Sequence, residues 1–213
     1  MESPPLLLDG PDDAPLTIVL AHGAGAPMDS TFMAAFAEEL AAEGYRAARF
    51  EFPYMAERRR TDTKKPPDRA HVLLDTWRAV IGELGGDGLV IGGKSMGGRI
   101  ASMIAAEMED AGTGVRGLVC LGYPFHGPGR PMNPDRLAHL ENLKTPALIC
   151  QGARDTLGNA EDVAGYALSP AISVHWLEDG DHGFKPRQAS GLTEDGNWRS
   201  AIGAIVRFLG ALG

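Results

Sequence analysis

The chain is short of several things, and each shortage excludes something. It holds only two cysteines, Cys120 and Cys150, too few for a disulfide framework and without the spacing of a zinc site. It has no surplus of positive charge. The formal net charge of −8 speaks against nucleic acid as a partner and favours solubility. It has no apolar run of membrane-spanning length. The opening MESPPLLLDGPDDAP lacks a basic region and offers only a three-leucine run, unlike a signal peptide or a membrane span. These absences together lead to the expectation of a cytoplasmic protein. No repeat and no internal linker interrupts the 213 residues, so a single domain over 1–213 is expected. Residues 1–15 read as an N-terminal extension or an edge strand at Leu6–Leu8.

What is present centres on Gly88 to Ala105, GLVIGGKSMGGRIASMIA. Leu89, Val90 and Ile91 read as a buried strand. Gly93-Lys94-Ser95-Met96-Gly97 is a G-x-S-x-G, and a helical pattern follows with Ile100, Met103, Ile104 and Met108 on one face. Strand, sharp turn bearing a serine, helix is the arrangement of a nucleophile elbow. The glycines remove side chains that would crowd the neighbouring elements, and the helix N-terminus favours negative charge beside Ser95. Gly88 to Ser95 also fits the phosphate-binding pattern G-x-x-x-x-G-K-S. That reading is disfavoured, because its first half is Leu-Val-Ile, which requires burial, and no apolar strand precedes Gly88.

The remaining chain alternates apolar runs with helical patterns. Strands are predicted at Leu16–Ala21, Arg46–Glu51, the elbow run, Val115–Leu121, Ala147–Gln151 and Ile172–Leu177. Helices are predicted after Ser30 as a cap, over Leu73 to Leu84 ending at Gly85-Gly86, after Ser95, around Asp135–Asn142, over 160–168, and from Trp198 to Leu209. Residues 53–70 read as a long polar loop carrying a basic run, Arg58, Arg59, Arg60, Lys64, Lys65 and Arg69. The pattern implies a doubly wound α/β fold, a mostly parallel sheet of about six strands with helices on both faces.

In such sheets ligands bind at the C-terminal ends of the strands. There the sequence places His22-Gly23-Ala24, Ser95, Tyr123 to His126, Asp155 and His182. Ser95, Asp155 and His182 follow one another in the order expected of a serine nucleophile, its acid and its base. Singly, each has a duller use, as a helix start, a turn aspartate or a surface histidine. Asp179 and Asp181 flank His182 and compete with Asp155 for the role of acid, but are too local in sequence to reach Nδ1 easily. His22 reads as structural, bonding loop backbone. His126 reads as pocket-lining or structural. Lys94 either pins the elbow by bonding a carboxylate or points to solvent. The cysteines, each two residues before a glycine, suggest neighbouring parallel strands in similar register with buried thiols.

With GGKSMGGRIAS, GYPFHGPG, QGARDTLG and GDHGF the chain resembles the α/β-hydrolase superfamily, in its dienelactone-hydrolase-like branch. It is similar there to a bacterial group related to the testis-expressed and chromatin-complex hydrolase-like proteins. The resemblance runs from about Leu16 to the C-terminus and implies a serine hydrolase of esters, thioesters or lactones. It implies Ser95 as nucleophile, His182 as base, Asp155 as acid, and an oxyanion hole from the backbone N–H groups of Met96 and Ala24. No metal or organic cofactor is required, and the partner is a small-molecule substrate. A non-catalytic binding or scaffold module on the same fold is the alternative. The segment between Leu121 and Ala147 is short for a helical cap, so an open cleft is expected. Its walls are expected from Met28, Phe52, Tyr54, Met55, Tyr123, Phe125, His126 and Leu157, on the loops 24–29, 53–69, 123–132 and 157–159. The basic run is either a solvated surface or a rim that attracts anionic substrates.

Overall fold

A computed structural model describes residues 2–85, 88–130 and 134–213, apart from the side chain of Asp135. The central apolar runs form strands because each sends successive side chains to opposite buried faces. The strands are β1 (Leu6–Asp9), β2 (Thr17–Ala21), β3 (Arg46–Phe50), β4 (Leu89–Lys94), β5 (Gly117–Leu121), β6 (Ala147–Gly152) and β7 (Ile172–Leu177). They make one sheet in the order β1-β3-β2-β4-β5-β6-β7. Every pair is parallel except β1 with β3, where Leu6 to Asp9 run antiparallel to Phe50 to Ala47. The sheet therefore has seven strands, the optional edge at Leu6–Leu8 being a paired strand.

Helices α1 (Thr31–Ala42) and α7 (Glu194–Leu212) cover one face of the sheet. Their Phe36, Leu40, Ile202, Ile205 and Leu209 pack on Ile18, Leu20, Val90 and Val119. Helices α3 (Ala70–Leu84) and α4 (Met96–Asp110) cover the other. Their Trp77, Ile81, Ile100 and Ile104 meet Val19, Phe50, Ile91 and Leu118. Each fully buried side chain of this size contributes ~1.5–3 kcal/mol. β4 shows why its strand reads as continuously apolar: Leu89 and Ile91 enter one core and Val90 the other.

Four local expectations are corrected. Residues 53–61 are not loop but a helix, α2 (Pro53–Thr61). Pro53 stands at its first position, where a proline's fixed φ suits the first turn. Asp62, in the left-handed region at φ 53°, ends it. Only Tyr54 and Met55 are buried, so apolar periodicity is too sparse to announce a helix. The helix expected over 160–168 is the short α6 (Ala160–Ala164), held by a capping box of Asn159 and Asp162. Ser30 occupies the cap position of α1, yet its side chain makes no capping bond. Finally, the two cysteines are out of register by one residue: Cys120 stands opposite Ile149 and Cys150 opposite Leu121. One residue reverses the face, so the buried thiols enter different cores.

Between β5 and β6 the described residues add only a 3₁₀ turn at Pro134–Arg136 and α5 (Ala138–Glu141). Gly86 at the expected end of α3, and Met132 at the end of one expected wall loop, lie outside the described residues. No described helix is long and apolar enough to cross a membrane. After β2 the chain winds outward to β3, then returns past β2 to place β4 on its other side. The strand order thus reverses between β2 and β4, which opens a crevice at their C-terminal ends. His22 to Gly25 and Ser95 lie there.

Candidate active site

Ser95 sits between the last residue of β4 and the first of α4, with φ 51° and ψ −116°. A non-glycine residue rarely holds such a backbone, and it persists only where surrounding packing imposes it. The imposition is visible at Gly93 and Gly97. A Cβ on Gly93, at φ 153°, would lie 2.2 Å from the carbonyl oxygen of Ala21. One on Gly97 would lie 2.4 Å from the same oxygen and 2.6 Å from that of His22. Only glycine lets α4 start this close to the end of β2. The phosphate-loop reading does not survive: Leu89 to Gly93 are buried strand, not an open cradle.

Ser95, His182 and Asp155 come together in one hydrogen-bonded chain. His182 Nε2 is 2.8 Å from Ser95 Oγ, and Nδ1 is 2.7 Å from Asp155 Oδ2. A carboxylate only accepts, so Nδ1 carries the proton and Nε2 faces the serine hydroxyl as acceptor. Asp155 is completely buried, which is tolerable for a carboxylate only when its oxygens are supplied with donors. The Leu157 N–H gives one at 2.8 Å to Oδ1, and Gln151 Nε2 another at 3.0 Å to Oδ2. Neither rival carboxylate bonds the imidazole. Asp179 pairs with Arg154 and Arg187. Asp181 Oδ1 accepts the N–H groups of Gly183 and Lys185 at 2.8 and 3.0 Å.

Lys94 follows neither of its two expected courses. Its ammonium donates to the backbone carbonyl of His182 and lies 5.3 Å from the ring centroids of both Phe32 and Phe184. Burial pulls its pKa down to about 8, opposed by the attraction of Asp155 and Asp181. The residue preceding the nucleophile is thereby tied to the loop that carries the imidazole.

The cleft beside Ser95 has a volume of about 700 Å³. Ala24 and Ala26 from the loop after β2, Phe32 and Met33 from α1, and Glu194 and Trp198 from α7 line it, with Lys94, Ser95 and His182 at its base. Ala24 is therefore at the cleft as expected, and Met96 is the first residue of α4, where a helix leaves its N–H without an intrahelical partner. His22 is structural in its contacts: its ring bonds Gly23 O at 2.7 Å and accepts the Phe52 N–H at 3.1 Å.

None of the eight expected wall residues lines this cleft. Tyr54, Tyr123 and Phe125 are fully buried in the core on the α3–α4 face. The Tyr123 hydroxyl donates to Arg136 O at 3.1 Å, and the Phe125 ring lies against Tyr166. His126 bonds Gly127 O and Asp162 at 2.9 and 3.3 Å. Leu157 serves through its backbone, donating to Asp155 and accepting from His126. Met28 borders a separate small groove with Pro4, Pro5 and Arg59. Phe52 and Met55, named for the same wall, are core as well. The reason is one of faces. Phe52, Tyr54, Met55, Tyr123 and Phe125 pack beneath the α3–α4 side of the sheet, while the cleft opens toward the N-termini of α1 and α7.

Within the basic run, Arg58, Arg59 and Arg60 are engaged by other groups, while Lys64, Lys65 and Arg69 are exposed. Arg59 bridges Asp29 and Glu51 at 2.8 and 2.6 Å, and Arg60 meets Glu57 at 3.2 Å. Arg58 turns inward to Ala24 O at 3.3 Å. Phe32, Met33 and Trp198 were missed as cleft residues. They sit within amphipathic patterns, where an apolar residue reads as core, and nothing in sequence tells a helix's outermost turn from the rest.

A family profile described as an alpha/beta hydrolase domain matches residues 14–210. Among solved structures, the dienelactone hydrolase from Anabaena variabilis superposes with a TM-score of 0.72 at 19% identity, covering 97% of this chain and 90% of its own. The monoacylglycerol lipase from Paleococcus ferrophilus does so with a TM-score of 0.72 at 16% identity, over 99% and 100%. Est1E from Butyrivibrio proteoclasticus gives 0.69 at 15% identity, over 97% and 93%. At such identities the likeness is one of fold.

Proposed function

The chain belongs to the α/β-hydrolase domain family, and within it we propose a serine hydrolase that cleaves a carboxylic ester, thioester or lactone of a small molecule. The observation that carries this reading is the chain of hydrogen bonds from Ser95 through His182 to Asp155, at 2.8 and 2.7 Å, set at the base of an accessible cleft. His182 takes the Ser95 proton as the oxygen attacks the carbonyl. Asp155 holds the ring in its Nδ1–H form and stabilises the imidazolium. The Met96 and Ala24 N–H groups receive the developing oxyanion, a donor of this kind being worth ~10²–10³ in turnover. His182 then protonates the leaving group, and water releases the acyl group from Ser95 by the reverse steps. The aromatic and aliphatic lining favours an apolar substituent on the substrate.

A fluorophosphonate probe tests the reading. The peptide bearing Ser95 should label, Ser95→Ala should not, and a panel of p-nitrophenyl esters, acyl-CoA thioesters and lactones should identify the class turned over. A native chain that neither labels nor turns over any of the panel would instead be a binding module.

A further inference from the structure

We propose that Tyr54 and Arg58, one turn apart on α2, are positioning residues that aim the Ala24 N–H at the reacting oxyanion. This rests on the serine-hydrolase reading and extends it to a helix outside the cleft. Three side chains converge on two consecutive carbonyls of the loop after β2. Gly23 O receives His22 Nδ1–H at 2.7 Å and lies 3.3 Å from the Tyr54 hydroxyl. Ala24 O lies 3.1 Å from that hydroxyl and 3.3 Å from Arg58 Nη1.

In a trans peptide, a C=O and the N–H that follows it point in opposite directions, and no cis peptide occurs among the described residues. Holding Gly23 O against His22 and α2 therefore turns the Ala24 N–H away from them, toward the cleft that Ala24 lines. The loop is next to the nucleophile: a Cβ on Gly23 would stand 3.8 Å from Ser95 Cβ. Such a brace is needed here. Ala24 is flanked by Gly23 and Gly25, whose backbones would otherwise let the peptide rotate, and a misdirected donor loses its electrostatic effect.

The brace is itself fixed. The Arg58 guanidinium lies over the Tyr54 ring, 5.1 Å from its centroid, the contact that i,i+4 spacing brings about on a helix. Arg58 Nε also donates to Lys65 O. The Tyr54 N–H is held by Asp68 at 2.8 Å, and the Phe52 N–H by His22 Nε2 at 3.1 Å. The start of α2 is thus clipped to the residue from which the oxyanion loop departs.

The test compares Tyr54→Phe, Arg58→Met and Arg58→Lys in the full chain, with a p-nitrophenyl ester and with a trifluoromethyl ketone that adds to Ser95 as a tetrahedral adduct. Tyr54→Phe and Arg58→Met should each lower kcat about 10-fold with KM within about twofold, and weaken the adduct by the same factor as kcat. The double variant should approach the ~10²–10³ loss of a missing donor. Arg58→Lys should recover part of the loss, and thermal midpoints should move little. Unchanged kcat in Tyr54→Phe and Arg58→Met would overturn the proposal. So would kcat, KM and midpoint falling together, the mark of a merely structural helix. A wild-type chain with neither turnover nor adduct would remove the serine-hydrolase reading itself, and the proposal with it.

Discussion

The side-chain amide of Gln151 donates, at 3.0 Å, to the same oxygen of Asp155 that receives His182 Nδ1 at 2.7 Å. Gln151 is fully buried on β6, and the rest of its amide is spent on the Tyr123 backbone and Gly158 O. One residue therefore joins the acid to the ends of two strands and fixes which face of the carboxylate the imidazole meets.

Gln151→Leu should accordingly loosen the acid without touching the substrate. The change leaves the Tyr123 N–H and Gly158 O buried without this partner, a cost of ~1–3 kcal/mol for each such group. Denaturant unfolding should show the loss of stability, and steady-state kinetics a lower kcat at nearly constant KM. A rise in KM alone would place Gln151 in the substrate site instead.

Ser95→Ala and His182→Ala should each reduce hydrolysis by more than ~10³-fold, with the double variant no worse than either single one. Groups that act as a unit behave in this way, because removing one idles the others. Additive losses, measured by comparing kcat/KM across the cycle, would break the unit apart.

Lys94 links stability to pH. Its pKa is 10.5 ordinarily and about 8 when folded, burial being the chief cause. Below pH about 8 both folded and unfolded chains hold the proton, and the fold carries the full desolvation cost. Between about 8 and 10.5 the folded chain releases the proton while the unfolded chain keeps it. This contribution to stability therefore rises with pH across that window, by ~3 kcal/mol at most. Subtracting the unfolding free energies of Lys94→Met from those of the wild type isolates it from other groups titrating there. A flat difference from neutral pH to pH 10.5 would show that the ammonium is not desolvated.

Gly97→Ala should damage both fold and site. The new methyl would press on the backbone oxygens of Ala21 and His22 at 2.4 and 2.6 Å, so relief requires moving α4 or the oxyanion loop. A destabilisation of ~1–3 kcal/mol should accompany a fall in kcat. Wild-type turnover in this variant would mean that the elbow tolerates more space than its geometry allows.

The thiols of Cys120 and Cys150 should resist a thiol reagent until the chain unfolds. Both are completely buried, and burial pushes Cys150 up to about 12 and Cys120 higher still. The thiolate is the reacting form, so rapid native labelling would contradict the packing of β5 and β6.

Some of the site is legible at once, and for a definite reason. Ser95, Asp155 and His182 each follow a stretch that reads as a strand, and a parallel sheet brings all such strand ends to one edge. His22 and Ala24 are found by the same rule. Gln151 is hidden because it lies inside an apolar strand, where a polar residue shows no partner in sequence. Lys94 is hidden because a charged residue beside a glycine turn reads as solvated, while the rings that flank it, Phe32 and Phe184, are far away in the chain.

What the sequence by itself determined is the order of elements, the elbow and the identity of the residues at the strand ends, because period, glycine spacing and apolar runs are local. Tertiary structure alone decided which face of the sheet the cleft occupies. Tyr54, Tyr123 and Phe125 are as apolar and as near strand ends as any wall residue, yet they fill the α3–α4 core, whereas Phe32 and Trp198, on two helices remote in sequence, meet at 5.3 Å beside the nucleophile. Burial of an aromatic ring yields much the same free energy in a core as against a cleft wall, so composition cannot choose between them. The choice is made by the one-residue alternation of each strand and by the side on which each crossover passes.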